Sequence, residues 1–137
     1  MELRMLNSSS LDTSIFIRLF TGDMPNQYKK VVKLLSDDSC TYIVEDCAII
    51  EMVHVLETIY KKDRLDIARD VNFLCSIENV SASRDLFEQV GNLYYQHPKL
   101  SFNDCYLAVI AEGHSAEPLW TFDKKLATQL PSAKELK

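Results

Sequence analysis

The sequence predicts a single α/β domain with a mostly parallel central sheet flanked by helices. Two observations carry that prediction. Short β-branched or aromatic runs alternate with longer segments of helical periodicity from end to end. The length of 137 residues suits one domain, and a chain of that size buries about 68–70% of the surface exposed when unfolded. A composition of 47% hydrophobic and 26% charged residues, with only 3 Gly and 4 Pro, is that of an ordinary globular chain, so neither metal nor disulfide is needed for folding.

Taken in order, "NSSSLD" is a short first run that leads into a helix over "SIFIRLF". "NQYKKVVKLLS" places Tyr28, Val31, Val32, Leu34 and Leu35 on one helical face and lysines on the other. The polar break "DDSC" precedes the strand "TYIV", and Asp46 is the expected N-cap of a helix through "CAIIEMVHVLETIYKK". A second long helix follows over "RLDIARDVNFLCSI", then an extended "NVSA" and a helix over "SRDLFEQVGNLYYQ" that His97-Pro98 ends. Ser101 opens the next helix, "GHSAEP" breaks it, "LWTF" reads as a strand, and a short helix starts at Asp123. The segment "QLPSAKELK" follows that helix.

Cys40, Cys47, Cys75 and Cys105 are widely spaced, form no CxxC pair and read as small buried hydrophobes. The start "MELRMLNSSSLD" has no apolar core of signal-peptide length, and no run approaches the roughly 18 apolar residues of a membrane span. A cytoplasmic protein is expected. The net charge of −5 argues against non-specific nucleic-acid binding through a basic surface. It leaves room for an enzyme that concentrates carboxylates around a metal.

Four apolar stretches are each interrupted by one carboxylate: Asp12, Glu51, Asp104 and Asp123. Asp12 and Asp123 follow strand-like runs, and residues just past the carboxyl ends of parallel strands line the ligand crevice. Glu51, His54 and Thr58 form one narrow polar stripe on an otherwise apolar helix. Asp104 sits in a first helical turn from which it can face the same crevice. Crowded carboxylates raise one another's pKa unless a cation compensates them. Oxygen donors with no Cys or His at ligand spacing select Mg²⁺ or Mn²⁺ over zinc. Such ions activate water and stabilise charge on an attacked phosphodiester.

Each acid also has a local explanation. Ser101 with Asp104 matches a capping box, while Asp12 and Asp123 suit helix N-caps. Glu51 is hardest to explain that way, because an acid on an apolar helix needs a partner or water. The set of four favours the functional reading. Glu51-Met-Val-His54 matches one ExxH element of di-iron bundles, but no second copy exists. His54 is expected to be hydrogen-bonded or semi-buried, and His97 and His114 to lie at helix ends. Gly22, Gly91 and Gly113 are isolated, so no Gly-rich phosphate loop is present. Tyr94 and Tyr95 read as core and rim packing.

"LDTSIF", "IIEMVHVLE", "LSFNDCYLAVIAE" and "LWTFDKKLA" together resemble the four acidic motifs of PIN-domain nucleases, with particular likeness to VapC-type toxins of prokaryotic toxin–antitoxin systems. The resemblance spans residues 11–126 of a domain taken as 1–137. It implies that Asp12, Glu51, Asp104 and Asp123 are the metal-binding acids. Thr13 or Ser14 would supply the hydroxyl after the first acid, and Thr121 the one beside the last. It further implies an endoribonuclease using Mg²⁺ or Mn²⁺, leaving 5′-phosphate and 3′-hydroxyl ends, frequent homodimers and inhibition by an antitoxin protein. In that reading Asp12, Asp104 and Asp123 hold the principal ion and Glu51 completes its shell or serves a second one. Arg18, Lys124 and Lys125 lie near the acids and are candidates for the RNA backbone. The first strand departs from the family pattern in being polar and in following an extra "MELRML", and with only "QLPSAKELK" after the last motif the terminal strand of some relatives is expected to be reduced or absent.

Two other classes compete. One is a non-catalytic α/β interaction module whose acids bind an ion or a basic partner segment. The other is a phosphoryl-transfer domain of receiver or phosphatase type, against which "LDTS" lacks a second Asp two residues after the first.

Overall fold

The computed structural model describes residues 7–137. The segment MELRML ahead of the first strand lies outside the described residues. In chain order the elements are β1 (Asn7–Ser10), α1 (Thr13–Thr21), α2 (Pro25–Leu35), β2 (Cys40–Ile43), α3 (Asp46–Thr58), α4 (Arg64–Ser76), β3 (Val80–Ser81), α5 (Arg84–Gln96), α6 (Phe102–Gly113), β4 (Leu119–Thr121), α7 (Lys124–Gln129) and β5 (Ala133–Glu135). Helices separate every pair of consecutive strands, and every pairing is parallel. That is the geometry a helical crossover imposes, because a tight turn cannot join parallel neighbours. The predicted α/β class is therefore the observed one.

The strands form two ladders, β1-β2-β3 and β4-β5. Asn7 pairs with Cys40 and Ser10 with Ile43, while Tyr42 pairs with Val80. Among the described residues no ladder joins β1 to β4, so the strands that lead to Asp12 and Asp123 are not hydrogen-bonded neighbours. All four residues of β1 are exposed, as its polar sequence dictates. The terminal strand is reduced but present: β5 places Ala133 in the core and pairs it with Leu119.

The interior is built chiefly on α3, α4 and α5. Ile49, Met52 and Leu56 of α3 meet Ile67, Val71 and Leu74 of α4 and Phe87, Val90 and Tyr94 of α5, all with no exposed surface. Each such side chain contributes about 1.5–3 kcal/mol relative to exposure. An aromatic cluster fastens α5 to α6. Phe87 lies parallel to Phe102 at 6.1 Å between ring centres and near-parallel to Tyr106 at 5.9 Å, while Tyr94 meets Phe102 edge-on at 5.2 Å. The first turn of α6 is thereby held against a rigid layer.

Several local expectations are corrected. Glu45, not Asp46, is the N-cap of α3; Asp46 is the first helical residue and accepts a 2.7 Å hydrogen bond from Tyr106. α3 ends at Thr58, short of the expected Lys62. On the apolar face of α2 only Val31 is fully buried and Leu35 packs partly on the core, while Tyr28, Val32 and Leu34 stay exposed. Cys75 and Cys105 are buried as expected, but Cys40 is half-buried and Cys47 exposed. His54 is exposed rather than semi-buried. No helix among the described residues is long and apolar enough to cross a membrane.

The α1–α2 connection is locked by polar contacts. Gly22 closes α1 in the left-handed region, φ 62°, where a side chain would be strained. Asp23 then accepts from Thr21 Oγ1 at 2.7 Å, from Tyr60 at 2.7 Å and from Arg18 at 2.6 Å. These donors, the Thr21 and Tyr60 hydroxyls before Arg18, pull the Asp23 carboxyl down from 3.8 to about 2. A carboxyl depressed on folding stabilises the native state above its unfolded pKa and ceases to do so as pH falls through its folded pKa. Asp23→Asn should therefore lower the thermal midpoint near neutral pH, and the gap from the parent should close between about 3.8 and about 2. Melting curves across that range check it.

Candidate functional site

Asp12 leaves β1 with extended backbone angles (φ −79°, ψ 155°) and caps α1. Its Oδ2 accepts from the Ser14 backbone N–H at 3.2 Å and from the Ser14 hydroxyl at 2.6 Å. Ser14 is thus committed to orienting Asp12. The Ser14 hydroxyl, and next its N–H, hold the Asp12 carboxyl below the usual range. That direction is opposite to the upward shift expected of crowded acids, because donors on the charged form outweigh burial here.

Thr13 is the one buried polar residue among those described. Its Oγ1 lies 3.1 Å from Glu51 Oε2 and 3.2 Å from the Ala48 carbonyl oxygen. The start of α1 is thereby tied to the middle of α3. Glu51 itself stays exposed on the polar stripe, so the stripe faces solvent as its composition required. Thr13→Val should cost about 1 kcal/mol by removing that donor, and Thr13→Ser should restore it. Denaturant unfolding of the two variants checks the expectation.

Asp104 stands in the first turn of α6. Its Oδ2 accepts from the Ser101 N–H at 3.3 Å while Ser101 Oγ accepts from the Asp104 N–H at 3.0 Å, completing the capping box. Asp123 follows β4 and caps α7 through Oδ1, which accepts from the Lys125 and Leu126 N–H groups at 2.8 and 3.4 Å. Thr121 Oγ1 accepts from the Asp123 N–H at 2.9 Å and so fixes its backbone.

One pattern runs through all four acids. Each carboxylate has one oxygen engaged by a neighbouring donor, and no hydrogen bond among the described residues engages the other. Capping and ligand roles are compatible, since one oxygen serves each. The donor set, all carboxylate, fits a hard divalent ion. Yet among the described residues no three His, Cys, Asp or Glu side chains are grouped closely enough to hold a metal together. Asp12, Asp104 and Asp123 are each drawn back onto their own helix caps, and Glu51 is held across the fold by Thr13 of α1.

Glu51 shares a cavity of about 340 Å³ with Ser101, Phe102 and Asn103, which sets α3 beside the turn that carries Asp104. Asp12 lines a separate cavity with Ile15, Asp37 and Tyr42. Arg18 is spent on Asp23 and Tyr60, so it is not a free cation for a ligand. Lys124 and Lys125 are exposed beside Asp123. Glu57 escaped the sequence reading although it stands three residues after His54, a helical spacing that could have marked it. The Tyr94 hydroxyl holds it at 2.5 Å.

The sequence model of one family, PIN domain, matches residues 10–129. The chain belongs to the PIN-domain family. No protein among the curated ones matches it. PIN domains are generally nucleases, hydrolases that use divalent metal ions. All four acids of this PIN domain, with Thr13, Ser14 and Thr121, fall inside the matched segment.

Proposed function

We propose that this PIN domain is a cytoplasmic endoribonuclease dependent on Mg²⁺ or Mn²⁺, the VapC-type toxin of a toxin–antitoxin pair. The observation that carries the reading is the shared state of the four acids, each with one oxygen held locally and one left over. Asp12, Asp104 and Asp123, with Glu51, are the residues that would hold the ion. A bound divalent ion lowers the pKa of water and stabilises charge on the attacked phosphate. Ser14, Thr13, Ser101 and Thr121 contribute by restraining the acids before RNA arrives, which limits the reorganisation needed at the reaction. Lys124 and Lys125 are suited to the RNA backbone beside Asp123. The exposed face of α2, with Tyr28, Val32 and Leu34, is the surface we assign to a homodimer or antitoxin contact.

The test is cleavage of a mixed RNA pool by purified protein with Mn²⁺, with Mg²⁺ and with EDTA, beside Asp104→Asn. Metal-dependent cutting that is lost in the variant supports the reading. Three of the acids, Asp12, Asp104 and Asp123, are also accounted for as caps, which favours a second reading: a non-catalytic interaction module that binds an ion or a basic partner segment. Tight partner binding by folded protein that cleaves no RNA with either metal would select it.

A further inference from the structure

The cavity between α3 and the start of α6 has a composition of its own. Its floor is apolar, formed by the almost fully buried Val53 and Phe102, with Ile50 and the exposed Cys47 in its wall. Its rim carries Glu51, His54, Glu57 and Asn103. At about 340 Å³ it lies within the range of small-ligand sites. An apolar floor under a hydrogen-bonding rim suits a flat ring with a polar edge. Two carboxylates on the rim disfavour phosphate and favour a group that donates.

Glu57 is preset for that role. The hydroxyl of the fully buried Tyr94 holds Oε2, and among the described residues nothing engages Oε1. Asn103 is exposed and immediately precedes Asp104, so whatever occupies the cavity sits next to two of the four acids. Carboxylate and carboxamide side chains are the groups that read exocyclic amino groups on bases, and an exposed imidazole can stack on a base.

We infer that this cavity receives the base of a nucleotide flanking the cleaved bond and favours adenine, cytosine or guanine, whose amino group donates to Glu57, over uracil. The inference rests on RNA being the substrate. Asn103 reads the same edge, and His54 covers the ring.

Cys47 in the cavity wall is exposed, whereas burial pushes the Cys75 and Cys105 thiols up to about 11. Maleimide alkylation of Cys47 near neutral pH, mapped by mass spectrometry to separate it from Cys40, therefore reports occupancy in metal-free protein. Adenosine and cytidine at millimolar concentration should slow Cys47 labelling several-fold more than uridine does. Glu57→Gln, which keeps the shape but offers an amide donor, should reverse that order toward uridine. In the same variant, cleavage sites in a mixed RNA should move toward uridine. Equal labelling with every nucleoside, an order unchanged by Glu57→Gln, or protection by free arginine alone would overturn the inference. If the parent cleaves no RNA, the nuclease reading fails, while Cys47 protection still decides whether the cavity holds a base.

Discussion

Asp12→Asn should reduce metal-dependent RNA cleavage by about a hundredfold or more, the scale on which a single preorganised electrostatic group matters, and should leave the thermal midpoint close to that of the parent. The two halves of that expectation come from the two oxygens of one side chain. As a cap, Asp12 accepts from the Ser14 N–H, and Asn caps a helix about as well as Asp. As a ligand, the carboxylate brings a charge that an amide lacks. Asp12→Ala should instead lose both, with a lower thermal midpoint from the missing cap. Comparing the variants by calorimetry and by cleavage separates the roles. Full activity in Asp12→Asn, in protein free of host nuclease, would reduce Asp12 to a cap.

Arg64→Met should destabilise the fold by about 3 kcal/mol, the combined scale of charge-assisted hydrogen bonds and a stacked cation. The Arg64 guanidinium lies 4.0 Å from the centre of the Tyr94 ring. It donates to the carbonyl oxygens of Tyr94, His97 and Leu100. Those acceptors are the end of α5 and the turn that delivers Ser101, so Arg64 anchors the entrance to α6 and with it Asp104. Arg64→Lys should rescue little, because one ammonium cannot reproduce a planar fork that serves three carbonyls and a ring. Denaturant unfolding of both variants measures the effect. A change below about 0.5 kcal/mol, the level of an ordinary surface substitution, would remove the clamp from the account.

The acids and the elements bearing them were legible because capping and strand ends are local features. Asp12, Ser101 with Asp104, and Asp123 each stand where a helix needs an acceptor, and each fulfils that need. The alternation of strands and helices required parallel pairing for the same local reason. Legibility failed where a residue's fate depends on what packs against it. Periodicity puts Tyr28, Val31 and Val32 on one face of α2, but it does not tell that Val31 alone is fully buried while Leu35 packs partly on the core. Asp46 looked like a cap because no sequence pattern links it to Tyr106, sixty positions away. No sequence pattern links Arg64 or Glu57 to Tyr94, which touches both.

By itself, then, the sequence determined the α/β class, the order of elements and the capping places of Asp12, Asp104 and Asp123, since period, caps and composition act over a few residues. Only the tertiary structure decided that Thr13 reaches Glu51, that Glu51 and Asn103 face one cavity, and that no three of the acids group closely among the described residues. Those contacts depend on the relative placement of helices distant in sequence, which is set by how Phe87, Phe102 and their neighbours fill the core together and not by any segment alone.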